Sequence, residues 1–285
     1  MKTNEDLTGK VCLITGATEG HGKACAKLLA QMGAHIIILG RNRKKCVSVQ
    51  TEIAKTTNTN PEVLICDLSS KKEIGHAAEE FLSRQKPLHI LINNAGIVNK
   101  ERKVTGDGIE ETFAVNYLSL FYLTWLLLDR IKESAPSRII NVSSDMHRMG
   151  RLDLNNLQLT KGYSWIKAYS NSKLAIIYFT IELSKLLKNT GVTVNALDPG
   201  PIASNIAGND KSAITRMASY VIKKTFPKPE RAARTAIYLA TSSEIEAVSG
   251  RYYRFMKQKE PYLKNGNPSL GKNLWDLSIE LTLSE

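Results

Sequence analysis

Tyr169 and Lys173 stand four positions apart, the spacing that puts two side chains on one face of a helix. An ammonium beside a phenol favours the phenolate, so the pair predicts a Tyr169 pKa lowered from its usual ~10 towards working pH. A phenol tuned in that way can give a proton to a carbonyl oxygen or take one from an alcohol. Alone, the pair says little, because Tyr and Lys are common on helix surfaces. Its setting says more. Asn141-Val142-Ser143-Ser144 closes an apolar run, and a serine at the carboxyl edge of a sheet can hydrogen-bond an oxygen on which charge develops. Asn116 is a polar amide inside a mostly apolar helix that starts near Ile109. Either it orders a water that reaches Lys173, or it back-bonds to its own helix carbonyls.

A second constellation lies near the start of the chain. Gly16, Thr18, Glu19, Gly20, His21 and Gly22 fall between a strand-like run and a helix-like one. Glycines in that position allow a tight turn and let backbone N–H groups approach a pyrophosphate at a helix N-terminus. After the second apolar run, a site for NAD usually places an acid against the ribose hydroxyls. Here the sequence is Arg41-Asn42-Arg43-Lys44-Lys45. A guanidinium can grip a 2′-phosphate with paired hydrogen bonds, so Arg41, with Asn42 or Arg43 assisting, predicts NADP(H). Glu19 opposes this if it lies near the phosphate, and a plain basic helix start is the alternative. Asp67, followed by Leu68, either accepts a hydrogen bond from adenine or caps a helix. Asn94, Ala95 and Gly96 suit a loop pressed on a cofactor or a simple polar turn.

The elements that must carry these residues are legible as a repeat. Short runs without polar alternation occur at Val11–Ile14, Ile36–Leu39, Val63–Cys66, Ile90–Ile92, Ile139–Val142, Val192–Leu197 and near Arg251–Phe255. Such runs predict strands covered on both faces. Between them, Cys25, Leu28, Leu29 and Met32, then Ile74, Ala77, Ala78 and Phe81, then Ala233, Ala236, Ile237 and Ala240, keep helical spacing. The expectation is a doubly wound α/β Rossmann fold of about seven parallel strands in a single domain spanning 1–285. Residues 203–227 read as a substrate flap, and 256–285 as a C-terminal extension with little core of its own.

With 42% hydrophobic and 23% charged residues, wholesale disorder is excluded. The net charge of +12 favours anionic ligands or is a solvated surface. The basic clusters come with no nucleic-acid-binding module, so no nucleic acid is expected. Cys12, Cys25, Cys46 and Cys66 and the five histidines have no metal-ligand spacing, which predicts buried free thiols and no metal site. Met1–Lys10 lacks the apolar core of a signal peptide. The most apolar stretch, Leu118–Leu128, is about half a membrane span. A cytoplasmic protein is expected, with peripheral membrane contact left open. The helices after Ile109 and Ala168 could pair with a second subunit, or the C-terminal extension could block this, so monomer and homodimer both stand.

In order, Thr-Gly-x-x-x-Gly-x-Gly, Asp, Asn-Asn-Ala-Gly, Asn, Ser, Tyr-x-x-x-Lys and Pro-Gly, from Thr15 to Gly250, resemble the short-chain dehydrogenase/reductase family. The resemblance implies catalysis by Asn116, Ser144, Tyr169 and Lys173, and a nicotinamide turn at Pro199, Gly200 and Ile202. It implies hydride transfer between NADP(H) and a carbonyl or alcohol carbon. The long Ser144–Tyr169 gap, Arg151–Gln158 and Ser249–Tyr253 are similar to the retinol dehydrogenase branch, which suggests a hydrophobic, lipid-like small-molecule substrate. Three features depart from that branch. His21 replaces a small apolar residue, Asp198 precedes Pro-Gly where His is frequent, and no N-terminal membrane anchor is expected. A non-catalytic NADP(H)-binding sensor or scaffold on the same fold is the rival reading.

Overall fold

Apolar runs that cannot alternate must be covered on both sides, and in the computed structural model they form the middle layer of three. The structure describes residues 5–200, 229–263 and 268–283; Ile202 and the expected flap at 203–227 lie outside them. Seven strands pair in parallel: β1 (Val11–Thr15), β2 (His35–Gly40), β3 (Glu62–Ile65), β4 (Ile90–Asn93), β5 (Ser137–Val142), β6 (Val192–Asp198) and β7 (Tyr252–Arg254). The sheet order is β3-β2-β1-β4-β5-β6-β7-β8, a doubly wound Rossmann arrangement. β8 (Lys257–Lys259) is antiparallel to β7 and was not anticipated. Its Lys-Gln-Lys sequence is exposed throughout, so it carries no apolar signal, and lysines protect an open sheet edge.

Alternate strand residues feed two cores. Leu13, Ile37, Leu39, Leu91, Ile139 and Val194 pack on one face. Cys12, Ile14, Ile36, Ile38, Ile92 and Ile140 pack on the other. The second face is covered by α1 (Gly20–Gln31), α2 (Arg43–Thr56) and α7 (Pro229–Thr241). The first is covered by α3 (Lys71–Ser83), α5 (Ser119–Glu133), α6 (Trp165–Leu186) and α8 (Pro268–Leu283). Polar caps set the helix starts: Asn42 accepts from Lys45 N–H at 3.0 Å and Ser164 from Lys167 N–H at 3.3 Å. The four cysteines are free and buried.

Ahead of α5, Glu111–Phe113 forms a single turn, α4, and Ala114–Leu118 forms a π-turn. Glu110 starts this segment by accepting from the N–H groups of Thr112 and Phe113 at 2.9 and 2.7 Å. The continuous stretch Glu111–Glu133 is long and apolar enough to cross a membrane, although most of it is buried as a core helix. The apolar run at Leu118–Leu128 is therefore only its middle.

The tail corrects the expectation of little core in the C-terminal extension. In α8, Leu274 is buried, and Trp275 stacks on Phe179 at 5.7 Å and meets Phe121 edge-on at 5.0 Å. Ser278 Oγ lies 2.8 Å from the Tyr117 hydroxyl. This helix covers part of the α5–α6 face that the sequence offered to a second subunit. Truncating a buried leucine removes transfer energy and leaves a cavity. Leu274→Ala is expected to cost about 3 kcal/mol in urea unfolding.

Candidate active site

The carboxyl ends of β1, β4, β5 and β6 open onto one cleft of about 510 Å³, the position and size expected for a ligand of a doubly wound sheet. Its floor is the glycine turn between β1 and α1. A Cβ on Gly16 would stand 2.9 Å from Ala95 Cα, and one on Gly22 would stand 2.6 Å from the Gly16 carbonyl oxygen. Gly16 also has φ +63°, so both positions require glycine. Backbone this close to the surface of a cleft is what a bound pyrophosphate needs, and the residues present fit a dinucleotide.

The turn is tied to the loop after β4. Thr15 Oγ1 accepts from Asn94 N–H and Ala95 N–H at 2.9 and 3.0 Å, and Asn94 Nδ2 donates to the carbonyls of Thr15 and Gly16. With its amide so engaged, Asn94 Oδ1 accepts from His21 Nδ1 at 2.8 Å. That bond gives His21 a use where a small apolar residue was expected. Burial lowers the His21 pKa, against the opposing pull of this hydrogen bond.

At the ribose end, Arg41, Asn42, Asp67, Leu68, Thr18 and Glu19 line the cleft, and Arg43 is not among the lining residues. Lys45, the last of that basic run, takes its place and faces Glu19 at 3.4 Å. One helical turn from Asn42, it was masked by the run of basic residues. Asn42 is engaged as the cap of α2. Asp67 uses Oδ1 on Ser69 at 2.9 Å, and its Oδ2 lies 3.9 Å from Arg41. Ser70, not Asp67, caps α3.

The other end gathers Tyr169, Lys173, Ser143, Gly96 and Pro199. Lys173 is buried, donates to the Val142 carbonyl at 2.9 Å, and its Nζ lies 5.5 Å from the centre of the Tyr169 ring. Ser143 anchors the same helix by donating to the Lys173 carbonyl at 2.8 Å. Ser144 lies just outside the cleft lining, accepts from Met146 N–H at 3.2 Å and hydrogen-bonds Tyr169. Gly200 stands beyond the lining residues with φ +78°.

Two expectations are corrected. Asn116 does not back-bond to its own helix carbonyls. It receives the Ile97 N–H at 2.7 Å and donates to the Ile97 carbonyl and Ser172 Oγ, each at 3.0 Å. It braces the loop behind Gly96 from within the π-turn, a helix irregularity that often marks functional sites. Nor is the Tyr169 pKa lowered. Burial pushes it up to about 12, against the Ser144 hydrogen bond, while burial brings Lys173 down to about 8. Loss of water around both groups outweighs their mutual attraction. Among the described residues, no cluster of His, Cys, Asp or Glu could hold a metal.

A sequence profile of the short chain dehydrogenase family matches residues 10–214. Mouse retinol dehydrogenase 12 is 41% identical over 280 residues, covering 98% of this chain and 88% of that protein. Human polyprenol dehydrogenase is 39% identical over 281 residues, covering 96% and 85%. A crystal structure from Beutenbergia cavernae, named for an NAD(P) dependent gluconate 5-dehydrogenase and holding NADP at low occupancy, superposes with TM-score 0.70. It is 26% identical, with 88% of this chain and 96% of that one covered.

Gly22→Ala tests the cradle, because helix propensity alone would make it stabilising by about 1 kcal/mol. The clash with the Gly16 carbonyl and Asn94 predicts lower stability and at least tenfold weaker dinucleotide binding by titration. A stabilised variant that binds normally would contradict the packing account.

Proposed function

The chain belongs to the short-chain dehydrogenase family, in its retinol dehydrogenase-like branch, and from that premise we propose an NADP(H)-dependent reductase of hydrophobic aldehydes or ketones. As a member of the family, it is an oxidoreductase that interconverts alcohols and carbonyls. The finer reading rests above all on the buried Lys173 ammonium, placed between the Val142 carbonyl and the Tyr169 ring in the cleft of the glycine turn. Bound NADP(H) would supply or accept the hydride.

The chain's own residues do the rest. Gly16, Gly20 and Gly22 bring backbone to the pyrophosphate, with Asn94 and Thr15 fixing their loop. Arg41 and Lys45 meet the 2′-phosphate, which requires them to exchange Asp67 and Glu19 for a stronger anion. Asp67 remains within reach of adenine beside Leu68. Ser144 holds the substrate oxygen, and Tyr169 gives that oxygen its proton in the reducing direction. Lys173 holds positive charge beside the phenol and binds the nicotinamide ribose. Asn116 keeps the Ile97 segment in place behind them. A lipid-like substrate is supported by the names of the relatives, which act on retinol and polyprenol by name, and by the apolar wall of Ile97, Val98 and Val115.

Tyr169→Phe removes the proton donor and little else. Turnover is expected to fall by at least a thousandfold, with NADPH affinity within about threefold of the wild type; general acid catalysis contributes factors of about 10²–10⁴. Near-normal activity would remove Tyr169 from the mechanism. Arg41→Asp is expected to move the NADPH/NADH ratio of kcat/KM towards NADH by roughly a hundredfold, the scale of a lost charged phosphate contact. An unchanged ratio would show that Arg41 does not read the phosphate.

A further inference from the structure

Asp198 closes β6, one residue before Pro199 joins the wall of the cleft. Its side chain is only 5% exposed, and a charge so placed needs partners. They converge from three directions. Gly200 N–H donates to Oδ1 at 3.1 Å, the N–H of Asp145 faces the carboxylate, and Arg254 Nε lies 3.0 Å from Oδ2. Arg254 is itself divided, since its Nη1 donates to Asp145 Oδ2 at 3.1 Å. One guanidinium against two carboxylates leaves the cluster with surplus negative charge. The Arg254 Nε and Asp198 Oδ2 contact is close but not aligned as a hydrogen bond, so the carboxylate is not fully satisfied by its ion pair.

Backbone strain holds this cluster in place. Arg254 ends β7, and the two residues of the turn after it, Phe255 and Met256, have φ of 52° and 60° without being glycine. Side chains other than Gly, Asn and Asp avoid that region, and such strain collects where geometry serves function. The Arg254 guanidinium lies 5.2 Å from the centre of the Phe255 ring, and that ring is 3.1 Å from where a Cβ on Gly200 would stand. Turn, guanidinium and the Gly200 backbone therefore pack against one another. The neighbouring Leu197 carbonyl accepts from Ser143 N–H at 2.7 Å, and Ser143 holds the Lys173 carbonyl.

We infer that Asp198, held by Arg254 against Asp145, is a positioning residue for the reaction, its carboxylate supplying the negative charge that faces the Tyr169–Lys173 pair from β6. The inference rests on the reading of Tyr169 as proton donor. Burial is the larger influence, raising the Tyr169 pKa and lowering that of Lys173; the Asp198 charge adds to the first and opposes the second. Other ionisable groups face Asp198 from the turn after β5 (Asp145, His147) and from β7 (Tyr252, Arg254), with Arg148 near Tyr252. Burial keeps His147 and Tyr252 neutral, so Asp145 and Arg254 set how much of the Asp198 charge is felt. Burial pushes the Asp198 carboxyl itself up, while the Gly200 N–H and Arg254 pull it down. A site tuned in this way suits carbonyl reduction near neutral pH. Alcohol oxidation needs the phenolate and so gains as pH rises.

The test is the pH dependence of kcat/KM for alcohol oxidation by the full chain with NADP, in the wild type, Asp198→Asn, Arg254→Gln and Arg254→Lys. Losing the carboxylate is expected to move the acid limb down by about one pH unit, the scale of a single charge in a partly buried site. Arg254→Gln exposes the Asp198 charge and moves the limb up, and Arg254→Lys restores it. The Arg254 pair carries the test if Asp198→Asn does not fold. A merely structural clasp would depress rates at every pH and leave the limb in place, which would overturn the inference while leaving the proposed function standing. Failure of the wild type to turn over at any pH would overturn both.

Discussion

A buried ammonium is the constraint from which the rest of this structure follows. Lys173 lies at the centre of the fold, where an unpaired charge would cost several kcal/mol. Its ammonium donates to the Val142 carbonyl at the end of β5. That bond is available only because β5 stops there and the chain turns away at Ser143 and Ser144. Ser143 then returns a bond to the backbone of Lys173, so strand and helix fix one another at the point where chemistry is expected. Burial brings the Lys173 pKa down to about 8, near enough to neutrality that small changes in local charge alter its state.

The same logic extends through the sheet. Asn93 donates to Thr124 on α5 and to Asn141 on β5, at 3.0 and 2.9 Å, and Asn141 donates on to Thr180 on α6 at 3.0 Å. This polar line crosses an otherwise apolar core. Asn93 Oδ1 is left without a partner, and a buried network of this kind specifies register rather than adding much stability. Here the register aligns the ends of β4 and β5 with α6, and hence Asn94 with the glycine turn and Val142 with Lys173.

Much of this was legible in the sequence, and the reasons for the failures are physical. The seven parallel strands announced themselves because both of their faces are apolar. β8 did not, because its three residues are polar and exposed and its existence depends on the Phe255-Met256 turn. The core contribution of α8 was missed because Gly271, Asn273 and Asp276 break up its apolar face, while Leu274 and Trp275 carry the packing. Glycine spacing found the cradle, but Thr15 was invisible as a loop clamp since one hydroxyl in a motif has no periodicity. Asn116 was found, yet its partner Ile97 is a backbone group on another loop, which no side-chain pattern encodes. The Tyr169 pKa was misjudged in direction because spacing reports the nearby ammonium and not the loss of water. Asp198 stood out in the sequence only as an oddity; its partners Asp145 and Arg254 are brought to it by the fold.

The central claim is that this cleft moves hydride between NADP(H) and a carbonyl carbon. The most direct measurement is the loss of reduced-nicotinamide absorbance with NADPH, and separately NADH, across medium-chain aldehydes, retinal, quinones and steroid ketones. The account predicts oxidation of NADPH by at least one hydrophobic carbonyl class, faster than NADH with the same substrate. Tight NADPH binding with no turnover on any of them would contradict it and would favour a protein that senses the cofactor without using it.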